Sequence, residues 1–238
     1  MHFHLPKPLH GWREFVGEVG IIVIGVLIAL GAEQVVESWN WRHQAEDAAS
    51  ALRSEVSGHY LAAAEFIVVA PCLDRQLQLL SQRLTATPLK PAPLFHVAGL
   101  NYVLRAPSRP WSDNQWRGVA SEGVAAHLPK DLRANLGDHY ALITVIRDDN
   151  RAADTLAYRF TVLAQSAALD PATRGRLAEE IEEQRGIFSF MGLVASQIVA
   201  SARAMGFAPP RQEVDEYLAK SGTTKFCRAH GLPLGKLA

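Results

Sequence analysis

Residues 15–36 read FVGEVGIIVIGVLIALGAEQVV, and from Val19 to Ala32 no side chain is charged. Wound as an α-helix at about 1.5 Å per residue, the whole stretch reaches across roughly 30 Å of hydrocarbon. Trp12 stands before it and Trp39 and Trp41 after it, where amphipathic rings settle at the two membrane–water interfaces. The expectation is one transmembrane anchor over residues 15–36 behind a short cytoplasmic N-terminus, 1–14. A cleaved secretory leader competes with this reading, because Lys7 and Arg13 precede the apolar run and Ala29-Leu30-Gly31 offers small residues to a peptidase. Partly apolar sequence continuing through Val35 and Val36 to the tryptophan pair speaks for an uncut anchor.

Lys7, Arg13 and the amino group lie before the span, whereas the first stretch beyond it holds Arg42 alone among Glu33, Glu37, Glu46 and Asp47. Counting Lys and Arg places the N-terminus inside and the main domain in the periplasm. Cys72 and Cys227, the only cysteines, stand at opposite ends of that domain. They fit a disulfide formed in an oxidising compartment, with two unrelated buried thiols as the alternative.

The 238 residues leave room for one ordinary domain plus the anchor, enough to bury a core without staples. Because 24 Lys and Arg balance 24 Asp and Glu, the basic footprint of a nucleic-acid binder is missing. Abundant alanine, with few β-branched residues alternating with polar ones, favours helix over sheet. The fold class expected is all-α: the anchor running on into a helical bundle over 37–220, then a C-terminal tail over 221–238.

Beyond the anchor Ala45, Ala49, Leu52, Val56, Tyr60, Ala63, Ile67 and Ala70 recur at steps of three and four, so the helix continues until Pro71 ends it. A second helix is expected over Cys72–Leu84, then a stiff proline-rich connector over 87–93 and a further helix over Leu94–Leu104. Asp113 is placed to cap a helix through Ala125. From Pro129 a long stripe, Leu132, Leu136, Tyr140, Ile143, Ile146, Ala153, Ala157, Phe160 and Ala164, marks one apolar face. Asp170-Pro171 opens another helix whose core face carries Leu177, Ile181, Phe188, Met191, Val194, Ile198, Ala202 and Met205, until Gly206 and Pro209-Pro210 stop it. A short helix over Gln212–Lys220 leads into the tail. No residue between Arg185 and Arg203 is charged, which raises a second membrane crossing over 186–202. The run falls short of about 20 residues and contains Ser189, Ser196, Gln197 and Ser201, so a core helix is the favoured reading.

Gly17-Glu18-Val19-Gly20-Ile21-Ile22-Val23-Ile24-Gly25-Val26-Leu27-Ile28-Ala29-Leu30, followed by Trp39, resembles the anchor motif of an uncharacterised family of bacterial single-pass membrane proteins. That family's later motif is similar to Trp116, Gly123, Leu132-Arg133 and His139-Tyr140 here. Glu122 and His139 depart from the Ser and Tyr usual at their positions. The resemblance touches both ends of residues 15–140 and implies a bacterial inner-membrane location and a helical domain. It implies no substrate, cofactor or catalytic residue.

The chain lacks a phosphate-binding loop, a dinucleotide fingerprint, His-Glu-x-x-His, Cys-x-x-Cys and a nucleophile elbow. Glu18 is an acid at the edge of the span: either it sits at headgroup level beside Glu14 and Arg13, or it handles a partner or a proton. Gly25 and Ala29, one turn apart, allow another helix to approach closely. His2, His4 and His10 cluster before the span, but in so short a tail they read as solvated rather than as metal ligands. His127 and Asp131 read as a surface pair, and Glu179, Glu180, Glu182 and Glu183 as a solvated face near a helix start. Trp111 and Trp116 with Arg105, Arg109 and Arg117 form the one polar-aromatic concentration, either a partner surface or a core anchor with stacked arginines.

With no cofactor, metal or catalytic constellation legible, the expected activity is association: an accessory or scaffold subunit bound to the bilayer and to a membrane-protein partner, or a homo-oligomer. The alternative is a small-ligand sensor coupled to such a partner.

Overall fold

The computed structural model describes residues 11–86, 92, 95–97, 100–165 and 169–237. His2, His4, His10 and Lys7 lie outside the described residues, as does the proline-rich connector apart from Ala92. The fold is all-α with one small hairpin.

Helix α1 runs without a break from Trp12 to Thr85 and contains Pro71. The apolar stretch expected to be the anchor and the bundle's central helix are therefore one element, and the two helices expected on either side of Pro71 are joined. A proline inside a helix removes the bond to the carbonyl four residues back and crowds it, so the chain must compensate at Ile67 and Val68. The far end of the chain packs at this point: the Gly235 amide donates to the Val68 carbonyl at 2.8 Å, beside the Ile67 carbonyl that Pro71 leaves without its helical donor. A Cβ on Gly235 would lie 3.1 Å from the Ile67 carbonyl oxygen. Glycine is what lets the tail come this close.

Between Leu61 and Leu73 the sequence LAAAEFIVVAPCL holds a single charge, Glu65. Most side chains from His59 to Leu73 are buried, with Pro71 the exposed exception. Helix α2 covers Asn114–Ser121, a 3₁₀ turn follows at Val124–His127, α3 is Lys130–Arg159, and α4 is a single turn, Val162–Gln165. Helix α5 is Pro171–Ala204, α6 Arg211–Lys220 and α7 Gly222–Ala229. The expected tail thus contains a helix, capped by Ser221, whose hydroxyl accepts the Thr224 amide at 3.1 Å.

Strands β1 (Phe95–Val97) and β2 (Leu100–Tyr102) pair antiparallel, with Val97 opposite Leu100, where the sequence suggested a helix. Each strand reads apolar–polar–apolar, Phe-His-Val and Leu-Asn-Tyr. That is a period of two, and only Ala98-Gly99 separates them, a hairpin signal.

The long α5 runs antiparallel to α1. Its start meets α1's end, where Arg174 donates to the Leu84 carbonyl at 3.4 Å, and its end lies beside Tyr60, whose hydroxyl takes a bond from Arg203 at 3.1 Å. Phe66 and Phe188 meet edge to face midway. Asp170 caps α5 by accepting the Thr173 amide at 2.9 Å. Gly206, at φ 68°, closes it: its amide reaches the Arg203 carbonyl and that of Phe207 the Ala202 carbonyl. Leu177, Ile181, Phe188, Met191, Val194, Ile198 and Ala202 are all buried against α1 and α3. Helix α5 packs beside the part of α1 that bears Arg53, Glu55, Glu65 and Asp74, so residues 186–202 lie in the bundle, although α5 too is long and apolar enough to cross a membrane.

Helix α3 buries Leu136, Tyr140, Ile143, Ile146 and Ala153 as its stripe requires, and ends at Arg159 instead of continuing to Ala164. Asp113 precedes α2 but gives it no side-chain cap. It pairs instead with Arg147 at 3.0 Å and Arg117 at 3.1 Å.

Candidate functional site

The apolar window of α1 is long and apolar enough to cross a membrane, and none of it is buried against the rest of the chain. Ile21 stands 74% exposed and Ile28 67%. Gly25 has nothing within 4 Å of where a Cβ would stand, and Glu18 and Ala29 are exposed on the same bare helix. Trp12 and Trp39 are exposed. Trp41 is turned inward: its ring stacks on His127 with centroids 4.2 Å apart, and its Nε1 donates to Glu37 at 3.3 Å.

Above the anchor the chain from Val103 to Asp113 returns along α1 as an extended strap, pinned at three points. The amide side chain of Gln76 brackets Arg105, accepting its N–H at 2.8 Å and donating to its carbonyl at 3.1 Å. Arg109 Nε donates to Glu65 at 2.7 Å and a second guanidinium nitrogen pairs with the same carboxylate. Ser112 Oγ donates to Glu55 at 3.1 Å. Glu65 is fully buried, and the hydroxyls of Ser221 and Tyr217 also donate to it. One carboxylate thus ties α1, the strap and the C-terminal helices together. A buried charge is tolerable only when hydrogen-bonded and paired to this degree.

At the lower end of the strap lies a buried polar chain. His59 Nε2 is 2.7 Å from the Ser112 carbonyl, which can only accept, so this nitrogen carries the proton. His59 Nδ1 must then accept from His139 Nε2, 3.1 Å away, and His139 Nδ1 accepts from the Ser201 hydroxyl at 3.2 Å. The carbonyl fixes both tautomers. Beside them Tyr140 donates to Glu55 at 2.6 Å and stacks on Trp116 with planes 6° apart. Burial lowers the pKa of His139 to about 3, and the neighbouring His59 pushes it the same way. Burial also lowers that of His59, against the Ser112 carbonyl and the charges of Glu55 and Asp113, which favour the proton. A Ser–His pair suggests nucleophilic chemistry, but a base with a pKa near 3 takes few protons at neutral pH. This chain of bonds therefore locks α1, α3, α5 and the strap together.

No family model, curated protein or solved structure matches this chain. Geometry alone must distinguish its surfaces from its struts.

The five residues of the sequence's polar-aromatic patch are brought onto the strap and α2 but not onto one surface. Trp111 is buried beside His59 with its backbone at φ 42°, a conformation costly for a bulky residue. Arg109 turns in to Glu65, Arg105 is held by Gln76, and Trp116 packs on Tyr140. Only Arg117 remains mostly exposed, bonded to Asp113 and Asn114. Arg109 and the Arg105 backbone are held inward because α1 offers buried partners at Glu65 and Gln76.

Cys72 and Cys227 are buried and joined, with Cα atoms 6.1 Å apart. The bond fastens α7 to α1 one residue beyond Pro71. Among the described residues no three His, Cys, Asp or Glu side chains gather as a metal site.

Sequence reasoning missed His59, His139 and Glu65 as partners. Glu65 was visible as the lone charge in an apolar run; the histidines, 80 residues apart, gave no local signal. A further feature is a groove of about 680 Å³ where α1 leaves the bundle, between Glu37, Trp41, Arg42 and Glu46 on one side and His127, Leu128 and Leu132 on the other.

Proposed function

We propose that this chain is a non-enzymatic, inner-membrane-anchored protein whose periplasmic helical bundle acts by association, as an accessory or scaffold subunit of a larger membrane assembly or as a homo-oligomer. The observation that carries this reading is the outward face of α5. Between Arg185 and Arg203 this face has no charge, and Phe190 and Leu193 stand 49% and 56% exposed on it. An uncharged helix face with half-exposed aromatic and aliphatic side chains is what a packing partner covers. The interior supports the same reading, because the polar groups that could serve chemistry, Glu65 and both histidines, are engaged with one another and with the strap.

The periplasmic placement is supported by the Lys and Arg count around the span and by the cysteine pair, and the bacterial family by the motif of residues 17–30. One continuous α1 makes the bundle rigid with the anchor, so a partner held by either is positioned by both. The test is purification in mild detergent with mass measured by light scattering. A stoichiometric partner or self-association is expected, and Leu193→Asp should abolish it while leaving the helical signal intact. A strictly monomeric wild-type particle overturns the proposal.

A small-ligand sensor is the second reading. The groove beside Trp41 favours it, since it sits where α1 passes from bundle to anchor.

A further inference from the structure

The outward face of α5 has a shape as well as a lack of charge. At about 3.6 residues per turn, Gly186, Leu193 and Ala200 fall on one line along it. Phe190 and Gln197 stand to one side of that line, Ser189 and Ser196 to the other, and all of them are exposed. One edge of the face is therefore bulky and the other small. Charge returns at Glu182 toward the helix start and at Arg203 toward its end, so the uncharged stretch centres near Leu193. Helix α5 runs antiparallel to α1. With residues 15–36 of two copies in one bilayer, a twofold axis relating them lies along the membrane normal, and their α5 helices run parallel. In a parallel pair that axis sets the bulky edge of each helix against the small edge of the other. An antiparallel pair sets bulky against bulky and leaves a gap between the serines.

We propose that the occupant of this face is the α5 of a second copy of this chain, in a parallel pair that crosses at Leu193. Leu193 of each copy meets its equivalent on the axis, and Phe190 of one copy lies against the Ser189 edge of the other. Small side chains beside the crossing point let the two helices approach to the ordinary packing distance of about 8–10 Å. The commonest crossing angle, about 50°, leans each α5 about 25° from the axis, within the tilt of about 0–40° open to the anchor helices beside them. At that angle the helix axes are about 17 Å apart at Glu182, beyond a screening length of about 8 Å, so like charges do not meet. The inference deepens the association reading and rests on it and on the anchor.

The experiment is cysteine crosslinking of the full-length protein in its native membrane. Cys72 and Cys227 are joined to each other, so an added cysteine is the sole free thiol. Under mild oxidation Leu193→Cys should form a disulfide-linked homodimer, because the crossing brings the two Cβ atoms within the reach of about 3.5–4.5 Å that such a bond needs. Gly175→Cys, exposed on the same line of α5 but far from the crossing, should not. Ser189→Lys puts a charge where Phe190 of the other copy seats, and should weaken dimerisation in detergent by about tenfold or more on dilution. With Gly186→Cys and Ala200→Cys carried on separate copies, no mixed disulfide is expected; one would mark an antiparallel pair and overturn the proposal. A dimer in which Leu193→Cys forms no link overturns it too, as does a link from Leu193→Cys to a different protein. Each of these leaves the association reading standing, whereas a monomeric wild-type protein removes both.

Discussion

His59 Nδ1 and His139 Nε2 face each other at 3.1 Å, one from α1 and one from α3, and both rings are buried. Only one proton fits between them, so charging His59 at Nδ1 breaks this contact, whereas charging His139 places the new proton on Nδ1 and reverses its bond with the Ser201 hydroxyl. The folded pKa values lie below the ordinary 6.5, to about 3 for His139. The unfolded chain therefore binds more protons below pH 6.5, and stability is complete above that value and lost as pH falls toward 3. The slope reaches about 1.4 kcal/mol per pH unit for each proton. Thermal melting of the detergent-purified protein should fall between pH 7 and pH 5, and His139→Gln should flatten that fall. A melting temperature unchanged across this range would contradict the pairing.

Glu65 carries no solvent contact and draws on three other segments. Arg109→Met leaves its charge buried without a cation, and the expected loss is about 3–5 kcal/mol. Glu65→Leu together with Arg109→Met removes both charges and should recover much of that loss. Urea titration of the three proteins measures it, and a double variant as unstable as the single one would show that the pair is not what Arg109 supports.

What the sequence revealed was mostly local. The stripe from Leu136 to Ala153, the Asp170-Pro171 start and the Gly206 stop each depend on residues a few positions apart, and all three are in place. Pro71 misled for the converse reason: whether a helix survives proline depends on what packs around the crowded turn, and here that includes residues from the opposite end of the chain, with the Gly235 amide bonded to the Val68 carbonyl. The inward turn of Arg109 and the seating of Ser112 depend likewise on acceptors some fifty residues earlier, at Glu65 and Glu55. The bare apolar stretch of α1 was legible because length and hydropathy mark such a helix without any tertiary partner.

Gly235→Ala tests the compensation at Pro71. The added methyl meets the Ile67 carbonyl oxygen at 3.1 Å, and an overpacked contact of this kind costs about 1–3 kcal/mol. The tail from Leu232 onward should then be cut faster by a nonspecific protease, with little change in the melting of the bundle. Equal protection of the tail in Gly235→Ala and wild type would mean that the Gly235 contact does not hold it.

The bond between Cys72 and Cys227 spans 155 residues of sequence, so it restricts the unfolded chain strongly; such crosslinks contribute about 2–4 kcal/mol. Reduction, or Cys227→Ser, should lower the melting temperature and expose α7 to proteolysis first, because this bond is what covalently fastens α7 to α1. The same pair reports the side of the membrane. Thiols on the cytoplasmic side are kept reduced, so protein taken directly from membranes under denaturing conditions should accept no maleimide before reduction and two equivalents after it. Two reactive thiols without reductant would place the bundle in a reducing compartment and reverse the proposed orientation, whatever the count of lysines and arginines around the span.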